Sequence, residues 1–293
     1  MKKIKILFLA VLGELVKVLC KMRWIRPKYG INTSEIRDKK VIVSLTSYGR
    51  RVSNVLQYTI ISLLRQTYKP DMIILWLDKD NWNDENLPKS IKRLVKYGLS
   101  IRYCDDLKSY KKLIPSLKAF PDDLIITCDD DIYYLNSMVG RLVVEYHNNP
   151  TQIYTHRAHR ITWKDENVLA SYDDWEEEVS GVGGFEIFPT GGGGCLYQRN
   201  LLYPDICDES LFMRLSPKAD DVWFYFMEYL QGTCCYVLPY KEFIYIPLDA
   251  FYQHFHKDSN LSNSNVKECQ NDVQIQNVIS YYQINFGSKE VLK

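Results

Sequence analysis

Residues 124–134 read LIITCDDDIYY. Residues suited to a buried strand, Leu124 to Cys128, run directly into Asp129, Asp130 and Asp131. Aspartate is a poor strand former, and adjacent like charges repel. In an open α/β sheet, however, ligands bind beyond the carboxyl ends of the strands. Charge at that end therefore marks a site. In extended chain, side chains at i and i+2 point the same way. That geometry aims Asp129 and Asp131 at one point and turns Asp130 toward solvent or a structural partner. Two hard carboxylates on one point suit Mg2+ or Mn2+, with positions left for water and a substrate phosphate. The competing reading is a solvated turn that caps the next helix.

Working outward, KVIVSLTSY (40–48), DMIILWLD (71–78), LSIRYC (99–104) and DLIITC (123–128) are near-continuous apolar strands. Between them, VLQYTIISLLRQ (55–66), LPKSIKRLVKYG (87–98) and KKLIPSLKAF (111–120) carry helical patterns or signals. YLNSMVGRLVVEYHNN (134–149) follows as a helix, and Gly98 reads as a helix stop. This alternation predicts an α/β fold with a mostly parallel sheet covered by helices on both faces. A single domain is expected over 38–293, with a nucleotide-binding half to about residue 135 and an acceptor and catalytic half from about 136. Residues 1–28 form a separate basic segment.

The chain has 293 residues, 46% hydrophobic, which suffices for a sizeable core. The formal net charge of +1 hides an asymmetry. Residues 1–28 hold eight basic side chains against one acid, Glu14, which leaves 29 basic and 35 acidic side chains elsewhere, a net of −6. A mildly acidic body argues against nucleic acid as the main partner. The segment KKIKILFLAVLGELVKVLCKMRW (2–24) has too short an apolar run to span a bilayer, and no small-residue cleavage site follows it. It reads either as a basic amphipathic helix on an anionic membrane surface or as a helix packed on the domain, with a short type II anchor ranked below both. The eight cysteines form no CxxC pair, and with no secretory signal evident a reduced cytoplasmic compartment is expected, peripheral on the inner face of the membrane.

Half of the fourteen glycines lie in GVGGFEIFPTGGGG (181–194). No GKS or GKT is present, so this is no P-loop. It predicts backbone lying close to a ligand or another segment. HRAHRITWKDENVLASYDDWEEE (156–178) interleaves Trp163, Tyr172 and Trp175 with polar residues, as an acceptor-sugar shelf would.

The strand and Asp-x-Asp arrangement resembles the GT-A fold glycosyltransferases, in particular the family-2-like enzymes. The resemblance covers most of the chain from about residue 40. It is carried by VSLTSYGRR (43–51), SLLRQTYKPDMIILWLD (62–78) and DDLKSYKKLIPSLKAFPDDLIITCDDDIYY (105–134). It implies that Asp131 binds a metal on the donor diphosphate and that Asp129 contacts the ribose or, through water, the metal. It implies that Thr46, Tyr48 and Arg50 line the nucleotide pocket, with Asp130 counted beside Asp129. Lys111 or Lys112 would approach the diphosphate.

Two later motifs extend the resemblance. SPKADDVWFYFMEYLQG (216–232) places Asp220 and Asp221 in the first turn of a helix. In inverting GT-A enzymes such an acidic pair supplies the catalytic base. Asp221 is favoured, although this chain has Asp-Asp where many relatives have Glu-Asp. N-capping is the competing role. A carboxylate at a helix N-terminus is expected to stay ionised at neutral pH. YQHFHKDSNLS (252–262) offers His254 and His256 as further metal ligands. His256 is preferred because residues 257–260 can form a loop over the diphosphate.

The expected function is metal-dependent transfer of a sugar from a nucleotide diphosphate sugar, UDP-sugar favoured, to a hydroxyl of a glycan or lipid-linked glycan. Inversion and a place in cell-surface polysaccharide synthesis are expected. A retaining mechanism, a sugar nucleotidyltransferase and a non-catalytic sugar-nucleotide-binding relative are the alternatives. The nucleotidyltransferase ranks lower because SLTSYGRR (44–51) has one glycine where that class has a glycine- and arginine-rich loop.

Overall fold

A computed structural model describes residues 2–165, 168–239, 245–256 and 270–285. The helices are α1 (Lys2–Lys21), α2 (Arg50–Asn54), α3 (Leu56–Leu63), α4 (Lys89–Lys92), α5 (Ile114–Ala119), α6 (Met138–Asn148), α7 (Glu209–Leu215), α8 (Asp220–Gln231), α9 (Ala250–Phe255) and α10 (Gln270–Tyr282). The strands are β1 (Val41–Thr46), β2 (Met72–Asp78), β3 (Leu99–Cys104), β4 (Leu124–Cys128), β5 (Ile132–Tyr134), β6 (Ile153–Thr155), β7 (Ala158–Arg160), β8 (Trp163–Asp165), β9 (Val168–Leu169), β10 (Glu176–Val179), β11 (Val182–Gly184), β12 (Ile187–Pro189), β13 (Cys195–Tyr197), β14 (Cys235–Val237) and β15 (Tyr245–Pro247).

Among the described residues the main sheet has eight strands in the order β3-β2-β1-β4-β13-β6-β14-β11. β3, β2, β1 and β4 are parallel, β13 runs against both β4 and β6, and β14 is parallel to β6. The predicted α/β class and mostly parallel sheet are present, and strands from both sides of residue 135 share it. Alternation along each strand explains why the strands read as unbroken apolar runs. Ile42 and Ile125 enter the core on one face, while Val41, Val43, Leu45, Leu124, Ile126 and Cys128 enter the core on the other. Each fully buried side chain of this kind contributes about 1.5–3 kcal/mol.

The helices depart from the sequence reading. The predicted helix 55–66 shortens to α3, and a separate short helix, α2, precedes it with Val55 between them. The predicted helix 87–98 shrinks to the single turn of α4 and a 3-10 turn that stops at Gly98, whose φ of 109° suits glycine. The predicted start of a helix at residue 134 is overridden. Ile132–Tyr134 pairs antiparallel with β15, and α6 begins only at Met138. That long-range pairing is invisible to local periodicity.

Register sets the site. Leu45 of β1 lies opposite Cys128 of β4, so the two strands end together. β13 enters at the same edge, with Cys195 opposite Thr127. Gly191–Gly194, which precede β13, are therefore delivered beside the aspartates that follow β4. β15 leads directly into α9, and α1 packs across β15.

Candidate active site

The chain after Cys128 is bent at Asp130 and Asp131. Extended alternation therefore fails there, and the three aspartates separate differently from the i, i+2 expectation. Asp130 and Asp131, not Asp129 and Asp131, share a cation. Arg51 Nη1 lies 2.9 Å from Asp130 Oδ1, and Arg51 Nη2 lies 3.1 Å from Asp131 Oδ2. Asp130 is buried and takes the structural role. It accepts from Ser47 Oγ at 2.5 Å, and its carbonyl accepts from Thr59 Oγ1 at 2.8 Å. Asp131 accepts from Gln253 Nε2 at 2.7 Å, while its carbonyl accepts from Leu248 N at 2.7 Å. Burial pushes the Asp131 carboxyl up to about 7, against the lowering effect of Arg51.

Asp129 faces the other way, to Lys112. Lys112 Nζ lies 2.9 Å from Asp220 Oδ2, 3.2 Å from Asp129 Oδ1 and 3.7 Å from Asp221 Oδ1. Burial alone would lower the pKa of this lysine, but the surrounding carboxylates hold it well above the ordinary value. The ammonium is thus fixed as a cation. Lys111 is buried and pairs with Asp106, whereas Lys112 reaches Asp129, Asp220 and Asp221.

The first turn of α8 presents Asp220 and Asp221 to Lys112. The N-cap is Ala219, and neither acid caps the helix. The Asp221 side chain keeps 31% of its surface exposed, against 11% for Asp220. Asp221 Oδ2 accepts from Gly191 N at 3.1 Å. The expectation of an ordinary ionised carboxylate needs adjustment. Burial raises the Asp221 carboxyl to about 6, with Lys112 opposing and Asp220 adding to the rise. It is still mostly ionised at neutral pH.

The glycine run fits closely between these groups. A Cβ on Gly191 would sit 2.5 Å from Lys112 Nζ and 3.0 Å from Asp221 Oδ1. A Cβ on Gly192 would sit 3.3 Å from Asp129 Oδ2 and 3.8 Å from Arg157 Nη1. Bare backbone therefore lies beside the carboxylates and the guanidinium. The Tyr134 hydroxyl ties the two loops together. It accepts from Asp129 N at 2.8 Å and donates to Gly192 O at 3.3 Å.

On the β1 side, Thr46 Oγ1 is buried at the strand end with no hydrogen-bond partner among the described residues. Such an orphan hydroxyl calls for a ligand or water. Tyr48 is exposed, with its ring 5.5 Å from the Arg51 guanidinium. Arg50 pairs with Asp249 at 2.5 Å and covers the Tyr252 ring. α9 thus brings Asp249 and Gln253 onto the cluster, whereas His254 and His256 stand exposed at its end. His256 stacks on Tyr252 at 3.9 Å, and its Nδ1 lies 3.1 Å from the Tyr252 carbonyl. The loop expected at 257–260 lies outside the described residues.

The donor chemistry suits a hard divalent cation. Asp129 and Asp131 offer oxygen ligands on two sides of the cluster, and six carboxylates (Asp129, Asp130, Asp131, Asp220, Asp221, Asp249) face Arg50, Arg51 and Lys112. The protein alone closes no cage. Among the described residues no three His, Cys, Asp or Glu side chains group as metal ligands. Substrate oxygens and water would have to complete the shell.

Of the aromatic residues expected to form a sugar shelf, Trp175 is buried, tilted against Tyr172 and edge-on to Phe188. It belongs to the core. Sequence reading missed Arg51, Asp249, Gln253, Tyr134 and Arg157 as site residues. Arg51 had a usable signal, because a buried acid next to a strand end requires a cation. Gln253 and Asp249 had none.

No family model matches the chain, and no curated relative matches it. Among solved structures, S. aureus TarS 1–349 is similar at a TM-score of 0.46 and 13% identity, over 73% of this chain and 62% of that one. The same TarS fragment in complex with UDP gives 0.46 at 12% identity, with the same coverage. CMP:2-keto-3-deoxy-manno-octonic acid synthetase complexed with CTP gives 0.42 at 10% identity, over 69% of this chain and 89% of that one. The chain thus spans less than two-thirds of the length of the TarS fragment.

Proposed function

We propose that the chain is a GT-A type glycosyltransferase. It would move a sugar from a nucleotide diphosphate sugar, UDP-sugar favoured, to a hydroxyl of a glycan or lipid-linked glycan, with inversion, in cell-surface polysaccharide synthesis. The observation that carries the reading is the convergence of Asp129, Lys112, Asp221 and bare Gly191–Gly192 backbone at the carboxyl edge of the parallel strands.

In this reading the nucleotide lies along the end of β1, where the Thr46 hydroxyl lacks a partner among the described residues, and its diphosphate reaches Lys112. Mn2+ or Mg2+, held by Asp131, by Asp129 through water since that side chain is turned to Lys112, and by His256 or His254 as a further candidate ligand, would offset charge on the leaving diphosphate. Asp221 takes the proton from the acceptor hydroxyl. The acceptor oxygen then bonds to the anomeric carbon while the bond from that carbon to the diphosphate oxygen breaks. The electron pair leaves with the diphosphate, where the Lys112 ammonium stabilises it. Asp220, more enclosed and closer to Lys112, positions that lysine.

The test is transfer by Asp131→Ala and Asp221→Asn beside the native chain. Both variants should lose transfer, and Asp131→Ala should also lose metal-dependent donor binding. Turnover retained by either would sink the corresponding assignment. Pyrophosphate release from sugar phosphate and nucleoside triphosphate would replace the reading with that of a nucleotidyltransferase.

A further inference from the structure

We propose that α1 is a docking helix for an anionic lipid bilayer, joined rigidly to one wall of the candidate active site. The inference goes beyond the transferase reading and does not depend on it. The inward face of α1 is fixed by packing. Leu12, Val16 and Cys20 join Val55, Tyr58, Tyr133, Ile246 and Leu248 in a third core cluster. A Cβ on Gly13 would lie 2.1 Å from the carbonyl oxygen of Pro247, so only glycine lets the helix approach β15 this closely.

The outward face is apolar too. Ile4, Leu7, Val11, Leu15, Val18 and Met22 recur at spacings of three and four and form one stripe along the helix and one residue past it. Each is between 46% and 74% exposed. A helix whose opposite face faced water would carry charge there. This one instead places its charge beside and beyond the stripe. Lys17 pairs with Glu14, and Lys21, Arg23, Arg26 and Lys28 gather at the carboxyl end. Trp24, 74% exposed, stands among them, where tryptophan favours the level of lipid headgroups.

Charge selects the occupant. Residues 1–28 carry eight basic side chains against one acid. A second copy of the chain would bring two such segments face to face, and like charges repel. An anionic leaflet offers apolar depth and negative surface together. Among the described residues no helix is long and apolar enough to cross a membrane, so α1 lies in the interface plane. Its contacts give that docking a consequence. β15 beneath it runs on to Asp249 and Gln253, which hold Arg50 and Asp131. A seated α1 therefore fixes the orientation of the aspartate cluster relative to the lipid surface.

Sedimentation of the full chain with phosphatidylglycerol-rich and with pure phosphatidylcholine vesicles tests this. The native chain should partition about tenfold or more in favour of the anionic vesicles, and salt should weaken the difference. Val11→Glu/Leu15→Glu should lose binding to both, with circular dichroism and melting unchanged. Lys21→Ser/Arg23→Ser, which spares the stripe, should lose only the anionic preference. The proposal is overturned if the native chain stays in the supernatant with anionic vesicles, or if the Val11→Glu/Leu15→Glu variant binds as well as the native chain. It is equally overturned if light scattering shows a dimer that this variant converts to monomer.

Discussion

Asp220 and Asp221 are chemically alike, and burial separates their surroundings. Asp221 keeps the larger open surface and meets the glycine loop, whereas Asp220 is enclosed against Lys112. A base must be unprotonated before reaction. With its carboxyl raised to about 6, the ionised fraction of Asp221 grows as pH rises through that value. The rate should therefore fall as pH drops below about 6 and level off above it, in a pH profile of kcat/KM. Asp221→Asn should lower kcat by about 10²–10⁴-fold and remove that acid limb. Arg51 makes a different kind of prediction. It neutralises Asp130 and Asp131 together, so Arg51→Ala leaves buried charge uncompensated. Denaturant titration should show a loss of about 3–5 kcal/mol. Arg51→Lys should recover only part of it, because a single ammonium cannot reproduce the two-pronged contact.

The glycine loop before β13 separates function from stability within one segment. Ala at Gly191 meets the flexible end of Lys112 and should reduce activity while the fold persists. Ala at Gly193 meets Arg157 N at 2.8 Å, which is backbone and cannot yield cheaply. Gly193→Ala should cost about 1–3 kcal/mol in the same titration. β1 to β4 were legible because burial on two faces writes itself locally, as Ile42 against Val41 and Val43 shows. The closeness of the glycine run was legible from composition. What stayed hidden was set by distant partners. β5 is a strand because β15 pairs with it, and Asp131 is reached by Gln253 because β15 leads into α9. The bend at Asp130 and Asp131 likewise broke an alternation that holds only in extended chain. The sequence pointed to both lysines, and only the fold separated Lys112 from Lys111.

Taken together, the sheet gathers an acidic, lysine-pinned site at one edge, and the N-terminal helix carries the opposing charge. That edge is the proposed place where a nucleotide diphosphate sugar is bound and cleaved. A panel of nucleotide sugars, incubated with the full chain and Mn2+ and read by release of nucleoside diphosphate, tests it. Turnover of at least one donor, abolished by chelation and restored by adding Mn2+, is the predicted result. No nucleoside diphosphate from any donor, with Mn2+ present and the fold intact, would contradict the account.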